Sequence, residues 1–216
     1  MKKPRERRTK QCGSAMIEFT LCFACVWLPL FLGLCQFGFK LVQAIQVTQV
    51  CRDAGHMHAY GIDFSQSSNK YLLVSLAPGL GVDPTGLSGN GEVILSTIGY
   101  VDNAQCMAGG YASGSDCPNY QKYVFTRQFV VGKTLKASSF GTPNANITNA
   151  SSGNVQRGDN NGTLGYLNDG SALVTAFPIA FSSGQQLAYI SEMFVQLPVF
   201  NWFLPGPAWV TSASFF

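Results

Sequence analysis

Gly13-Ser14-Ala15-Met16-Ile17-Glu18-Phe19 separates a strongly basic stretch from a long uncharged apolar run, and the reading of this heptapeptide decides the fold. Ahead of it lie Lys2, Lys3, Arg5, Arg7, Arg8 and Lys10. Behind it, Phe19 to Phe39 is a run of 21 residues without Asp, Glu, Lys or Arg. As a helix that run spans about 32 Å at ~1.5 Å per residue, against a hydrocarbon core of ~30 Å, so one membrane crossing is expected. Six of the 14 Lys and Arg precede it, which keeps the first residues in the cytoplasm and sends the chain after Lys40 outward. A secretory signal peptide shares this layout, but its apolar region is only ~7 to 15 residues long. Lipoprotein processing is disfavoured as well: Leu34 precedes Cys35 where a small residue is wanted, and Cys22 stands three places before Cys25 where an apolar one is wanted. What remains is an uncleaved anchor or a cut made in front of the run.

Basic residues, then Gly13, with Glu18 five residues beyond the Gly13-Ser14 bond and an aromatic Phe19 opening an apolar helix, resemble the processing site of type IV prepilins. The alternative is an interfacial Glu beside an unrelated Gly. The resemblance implies a prepilin peptidase acting between Gly13 and Ser14 at the cytoplasmic membrane face. Glycine, lacking a Cβ, lets the scissile backbone lie extended in an active site that a larger residue would obstruct. It further implies that Glu18 faces the new Ser14 ammonium of a neighbouring subunit. An intramembrane carboxylate costs on the order of a few kcal/mol unless paired or snorkelling, so such pairing would favour one axial register.

Residues 1–13 carry six Lys/Arg and one Glu, so their removal changes the formal charge from +3 to −2. The basic character therefore belongs to the leader, and the scattered cations that remain give no patch for nucleic acid. Beyond the membrane run, Lys40 to Ile62 continues as helix, with Val47, Val50, Ala54, Met57 and Gly61 on a narrow face suited to a partner helix or to the chain's own sheet. From Ser14 to Ile62 this half-embedded helix resembles a pilin spine, and Pro29 is expected to kink or loosen it.

Among pilin-like families the chain is most similar to TadE-like minor pseudopilins of tight-adherence (Flp) pili. The likeness rests on Gly13, Glu18 and Phe19, on Leu34-Cys35-Gln36-Phe37-Gly38, and on Gln49-Val50-Cys51-Arg52-Asp53-Ala54-Gly55, which is similar to an Ala-Arg-Glu-Ala-Ala-like stretch. Gln36 in place of an acid and Gly55 in place of the second Ala depart from the pattern. The related TadG-like proteins can carry a metal site with Asp-x-Ser-x-Ser, and Asp63-Phe64-Ser65-Gln66-Ser67 matches that string. It follows the end of a helix rather than an apolar strand, so the serines are expected to serve a turn and a helix cap, with no metal bound.

Residues 63–216 suffice for one exported domain. Lys122 to Val131 alternates, with Tyr123, Phe125, Phe129 and Val131 on one face and Arg127 interrupting. Leu187, Tyr189, Met193, Val195, Leu197 and Val199 line a second strand. Glu92 to Tyr100, Ala172 to Phe177 and Ala208 to Phe215 make about five in all, mainly antiparallel, with a short helix at Lys70 to Leu76. The fold class is α+β, a long membrane-spanning helix kinked near Pro29 and packed on an antiparallel sheet. Ser138 to Asn168, rich in Ser, Gly, Asn and Thr, reads as a flexible loop or ribbon with Asn161-Gly162 at a hairpin tip. Asp159 to Gly162 lacks the later acid of a calcium loop. The sequons at Asn146, Asn149 and Asn161 mark an exposed polar segment.

Cys12 leaves with the leader, while Cys22, Cys25 and Cys35 lie in the apolar run as small apolar residues. Cys106 and Cys117 flank a Gly/Ser-rich loop in an oxidising compartment and are expected to form a disulfide, leaving Cys51 unpaired. His56 and His58 fall on different helix faces, and no nucleotide, hydrolase or zinc motif is present, so neither an enzyme nor a cofactor is implied. Phe200 to Pro207, apolar and aromatic, either docks another subunit or folds onto the sheet.

The sequence thus reads as a processed minor pilin of the bacterial inner membrane. Its partners are a prepilin peptidase, other pilin or pseudopilin subunits and the membrane, without nucleic acid. The alternative is an uncleaved, single-pass anchor for an exported binding module or assembly factor.

Overall fold

The long apolar segment forms helix as its composition requires. In a computed structural model describing residues 11–155, 165–181, 183–197 and 208–216, α1 covers Gln11–Cys22 and α2 covers Leu28–Ala59, joined by a π-helical turn at Phe23–Trp27. The Leu28 N–H reaches back five residues to the Phe23 carbonyl. Pro29 follows at once, lacking an N–H and crowding the carbonyl of Cys25, so the widened turn is the loosening that the proline demands. Helix α2 ends where Gly61 takes a φ of +82°. Gly61 N–H donates to His58 O at 3.0 Å and Ile62 N–H to Met57 O at 3.0 Å, the paired bonds of a Schellman stop.

The chain divides into two units at Gln43/Ala44. In the first, the apolar side chains lie on the surface: none of the most hydropathic window is buried, and the helix from Ala15 to Ala59 is long and apolar enough to cross a membrane. In the second, a four-stranded antiparallel sheet is built from β1 Gly91–Tyr100, β2 Tyr123–Gly132, β3 Leu187–Leu197 and β4 Ala208–Phe215, in the order β2-β1-β3-β4. Short helices at Ser67–Leu76 (α3), Asn103–Ala108 (α4) and Gly165–Asn168 (α5) fill the connections.

Two cores form. Val47, Val50, Cys51 and Ala54 of α2 pack with Leu73 of α3 on Val93, Leu95, Phe129, Val131, Met193 and Val195. A second cluster holds Ile98, Phe125, Ile147, Val155, Leu167 and Ile190 with Cys106 and Cys117. The one-face reading of β2 fails at Thr126. The register slips between Thr97 and Ile98, so that Ile98 pairs with Phe125 but Thr97 pairs with Arg127. This bulge sends Tyr123 and Phe125 to the second cluster and leaves Phe129 and Val131 in the first, which is why Arg127 broke the alternation.

Ala172 to Phe177 is not a fifth strand. A 3-10 turn at Gly170–Ala172, capped by Asp169 accepting from Ser171 N–H at 2.7 Å, leaves a single bridge between Leu173 and Val124, and Ala176 has a φ of 54°. That backbone cannot continue a ladder. Of the Asn-rich stretch, residues 147–155 run along the outer edge of β2, where Val155 N–H donates to Thr126 O at 3.0 Å and Gln128 N–H to Gly153 O at 2.9 Å. The Asp159 to Gly162 string, Asn161, Val199 and the Phe200 to Pro207 loop lie outside the described residues.

Candidate functional site

The first candidate is the opening of α1. The backbone of Gly13 and Ser14 is helical, within α1, while Glu18 and Phe19 one turn later are exposed. Phe19 is 70% exposed and its ring lies 6.4 Å from that of Phe23. A cut between Gly13 and Ser14 would need the helix to unwind there, and glycine, ~1 kcal/mol poorer than alanine in a helix, lowers that cost.

Around Asp63 the Asp-x-Ser-x-Ser string folds into a turn. One carboxylate oxygen accepts the Ser65 N–H at 3.1 Å and the other accepts the Ser65 hydroxyl at 2.7 Å. Arg127 closes the ion pair on Asp63 from β2. The Ser65 hydroxyl, its N–H and then Arg127 hold the Asp63 carboxyl down at about 2. The serine on the second position therefore makes a turn, and the carboxylate is already occupied. Ser67 is the first residue of α3 and makes no cap; Asn69 instead donates to Asp63 O at 2.7 Å. Among the described residues no group of three or more His, Cys, Asp and Glu is placed to hold a metal ion.

Beside this pair, the end of α2 and the sheet form an open cavity of about 410 Å³, whose described lining includes His58, Gly61, Thr97, Thr126, Arg127, Asn154, Val155, Tyr166 and Tyr189. His58 is only 4% exposed, its Nε2 lies 3.0 Å from Thr97 Oγ1, and its ring meets the edge of Tyr189 at 5.3 Å. Burial, with the Arg127 charge as a lesser cause, lowers His58 to about 4, so it is neutral at physiological pH. Arg127 also donates from Nε to Ser152 O at 2.9 Å. Sequence reading passed over this cavity because its walls come from distant segments. The one available signal was helical spacing: Val47, Cys51, Ala54 and His58 recur at four, three and four, placing a histidine on the buried stripe.

Cys106 on α4 and Cys117 are brought together, their Cα atoms 5.9 Å apart, a separation that a disulfide spans. Cys51 is buried and free, with its thiol donating to Ser191 O at 3.1 Å; burial raises its pKa. Cys22 and Cys25 are exposed on the apolar helix.

A family comparison bears on the first candidate. Residues 13–56 match the family of TadE-like proteins. The TadE-like stretch begins at Gly13, runs through α1 and the π turn, and stops three residues before α2 ends, so the sheet and its cavity lie outside it. The match suggests an association with Tad pili, and with the one long apolar helix among the described residues it fits a membrane-anchored pilus protein. No curated protein and no solved structure matches the chain.

Proposed function

We propose that the protein is a processed minor pseudopilin of a Tad-type pilus, held in the bacterial inner membrane with its N-terminus cytoplasmic and its sheet domain exported. The observation that carries this reading is the Ala15–Ala59 helix. Its apolar part is unburied by its own chain, and the TadE-like stretch opens on Gly13 and includes Glu18. Such a surface needs lipid or other helices around it. A prepilin peptidase unwinds the helix locally and cuts between Gly13 and Ser14. The new ammonium of one subunit then faces Glu18 of the next, and the apolar faces carry the remaining contact. In the exported domain Cys106 and Cys117 close a disulfide.

Intact mass and N-terminal sequencing of the chain co-expressed with its cognate peptidase test this. The expected product begins at Ser14, and its formal charge falls from +3 to −2. Gly13→Val blocks the cut. Glu18→Ala is cut as before but enters pilus or subcomplex fractions poorly. A chain still beginning at Met1, beside a peptidase active on another substrate, sinks the processing reading. Equal incorporation of Glu18→Ala removes the pairing.

A second reading, an uncut anchor presenting a binding module, draws support from the 410 Å³ cavity, which is of a size to hold a small ligand.

A further inference from the structure

The chain enters the sheet-bearing unit at Ala44, and three exposed leucines lie toward that end. Leu72 and Leu76 stand one turn apart on α3, 47% and 41% exposed, and Leu87 is 83% exposed on the turn that follows. A hollow lined by Gln46, Gln49 and Val50 of α2 and by Leu76, Pro78 and Leu80 places the end of α3 beside the first turns of the unit. One residue on, Gly81 O accepts from Asn90 and Gly91 N–H at 2.9 and 3.1 Å, which closes the Leu87 turn back onto the same end. Asp83, the acid of that turn, accepts from the N–H and the hydroxyl of both Thr85 and Ser88. Its charge is engaged within the turn, and Leu87 is left exposed on a loop that is already folded. Exposed Lys133 follows Gly132, whose carbonyl oxygen stands 3.3 Å from where a Cβ on Gly86 would lie, so a cation flanks the leucine.

Lipid is the surface within reach. The uncharged run ends at Phe39, yet Leu41, Val42 and Ile45 remain about half exposed, so α2 stays apolar to within one residue of the hollow. From Lys40 to Gln46 a helix rises about 9 Å, while the headgroup layer is ~5 to 8 Å deep on each side of the hydrocarbon. Side chains at the level of Gln46 therefore meet the headgroups, and Lys40 can snorkel among them. We propose that this end of the exported domain seats on the bilayer face from which α2 emerges, with Leu72, Leu76 and Leu87 entering the headgroup and acyl boundary and Lys133 meeting lipid phosphate. The proposal rests on the reading of the apolar helix as a membrane anchor and is independent of whether the chain is cut at Gly13. Such a seat holds the domain at the membrane, and it must be broken before the subunit can be lifted into a filament.

The test places the photo-crosslinker p-benzoylphenylalanine singly at Leu87, at Phe31 in the apolar helix and at Tyr60, 86% exposed at the far end of α2, in the full chain. Single copies in nanodiscs of phosphatidylglycerol and phosphatidylcholine are irradiated, and lipid adducts are counted by mass spectrometry. Adducts are expected at 31 and 87 and not at 60. Leu72→Ser with Leu76→Ser should lower the yield at 87 about tenfold, the effect of withdrawing apolar contact of this size, at an unchanged melting temperature. Lipid adducts at 31 but none at 87 overturn the seat and leave the anchor standing. None at 31 overturns the anchor, and the seat with it. Equal yields at 87 and 60, or a yield at 87 indifferent to the two serines, also overturn the proposal. So does capture of protein in place of lipid when position 87 is irradiated in native membranes.

Discussion

At the residue scale, three buried or paired ionisable groups divide the acid range between them. His58 sits at about 4 against an ordinary 6.5, so between those values the unfolded chain binds a proton that the folded chain refuses. Stability then falls as pH drops through this window, by up to about 3 kcal/mol at ~1.4 kcal/mol per unit. Glu92 acts in the opposite sense. It is fully buried on β1, Leu135 and Lys136 N–H each donate to its Oε2 at 2.8 Å, and its Oε1 has no partner among the described residues. Burial, aided by nearby Glu192, pushes its pKa up, so its contribution is present at low pH and is lost as pH rises through the folded value. Asp63, held near 2, titrates below both. We expect the chain to lose more thermal stability, or gain less, between pH 6.5 and pH 4 than its His58→Gln variant, which keeps a hydrogen-bonding group toward Thr97. An unchanged slope in the glutamine variant would assign the acid sensitivity elsewhere.

At the scale of elements, Gly55 explains itself through the far end of the sheet. A Cβ there would overlap the Phe216 ring, which also packs tilted against the His56 ring with centroids 4.3 Å apart. The departure from the alanine-rich family pattern is thus a socket: α2 gives up a side chain so that Phe216, hydrogen-bonded to Tyr189, can press on the helix. Gly55→Ala should cost about 1 to 3 kcal/mol by overpacking. In a Phe216→Ala background the same change should be neutral or stabilising by up to ~1 kcal/mol, because alanine is the better helix former. A double-mutant cycle by chemical denaturation reads the reversal of sign, and additivity would dismiss the socket. The same elements show how far the sequence was legible. Alternation located all four strands within a residue or two, except that β3 was read on to Val199, which lies outside the described residues, and it found α3. It failed at Thr126, where one inserted residue flips a face without any local mark, and at Ala172 to Phe177, where a short apolar run meets an Asp169 cap and a left-handed Ala176. The long apolar helix that follows Gly13 was readable because its signal is local. The cavity was not, because His58, Thr97, Arg127 and Tyr189 meet only through sheet register and the bulge.

For the whole molecule, the decisive contrast lies within one continuous apolar helix. Among its described side chains, burial begins at Val47, and Leu41, Val42 and Ile45 are still about half exposed. Every helix residue in the core belongs to the unit that starts at Ala44. Among the described residues, none before Ala44 adds a side chain to that core. A chain starting at Ala44 should fold alone, since it retains both clusters, the full sheet and the Gly61 stop. Expressed in an oxidising compartment, we expect it to be soluble and monomeric, to melt cooperatively and to show Cys106 linked to Cys117 by peptide mapping. Cys106→Ser should lower its stability by about 3 kcal/mol, the loop-closure value for a sequence separation of 11. Its disulfide-intact form should resist proteolysis between Ala44 and Ala59, because Val47, Val50, Cys51 and Ala54 are buried against the sheet. Aggregation, or rapid cleavage within those sixteen residues, would mean that the apolar half stabilises the domain after all. The division of labour between an anchoring half and a folding half of the helix would then fail.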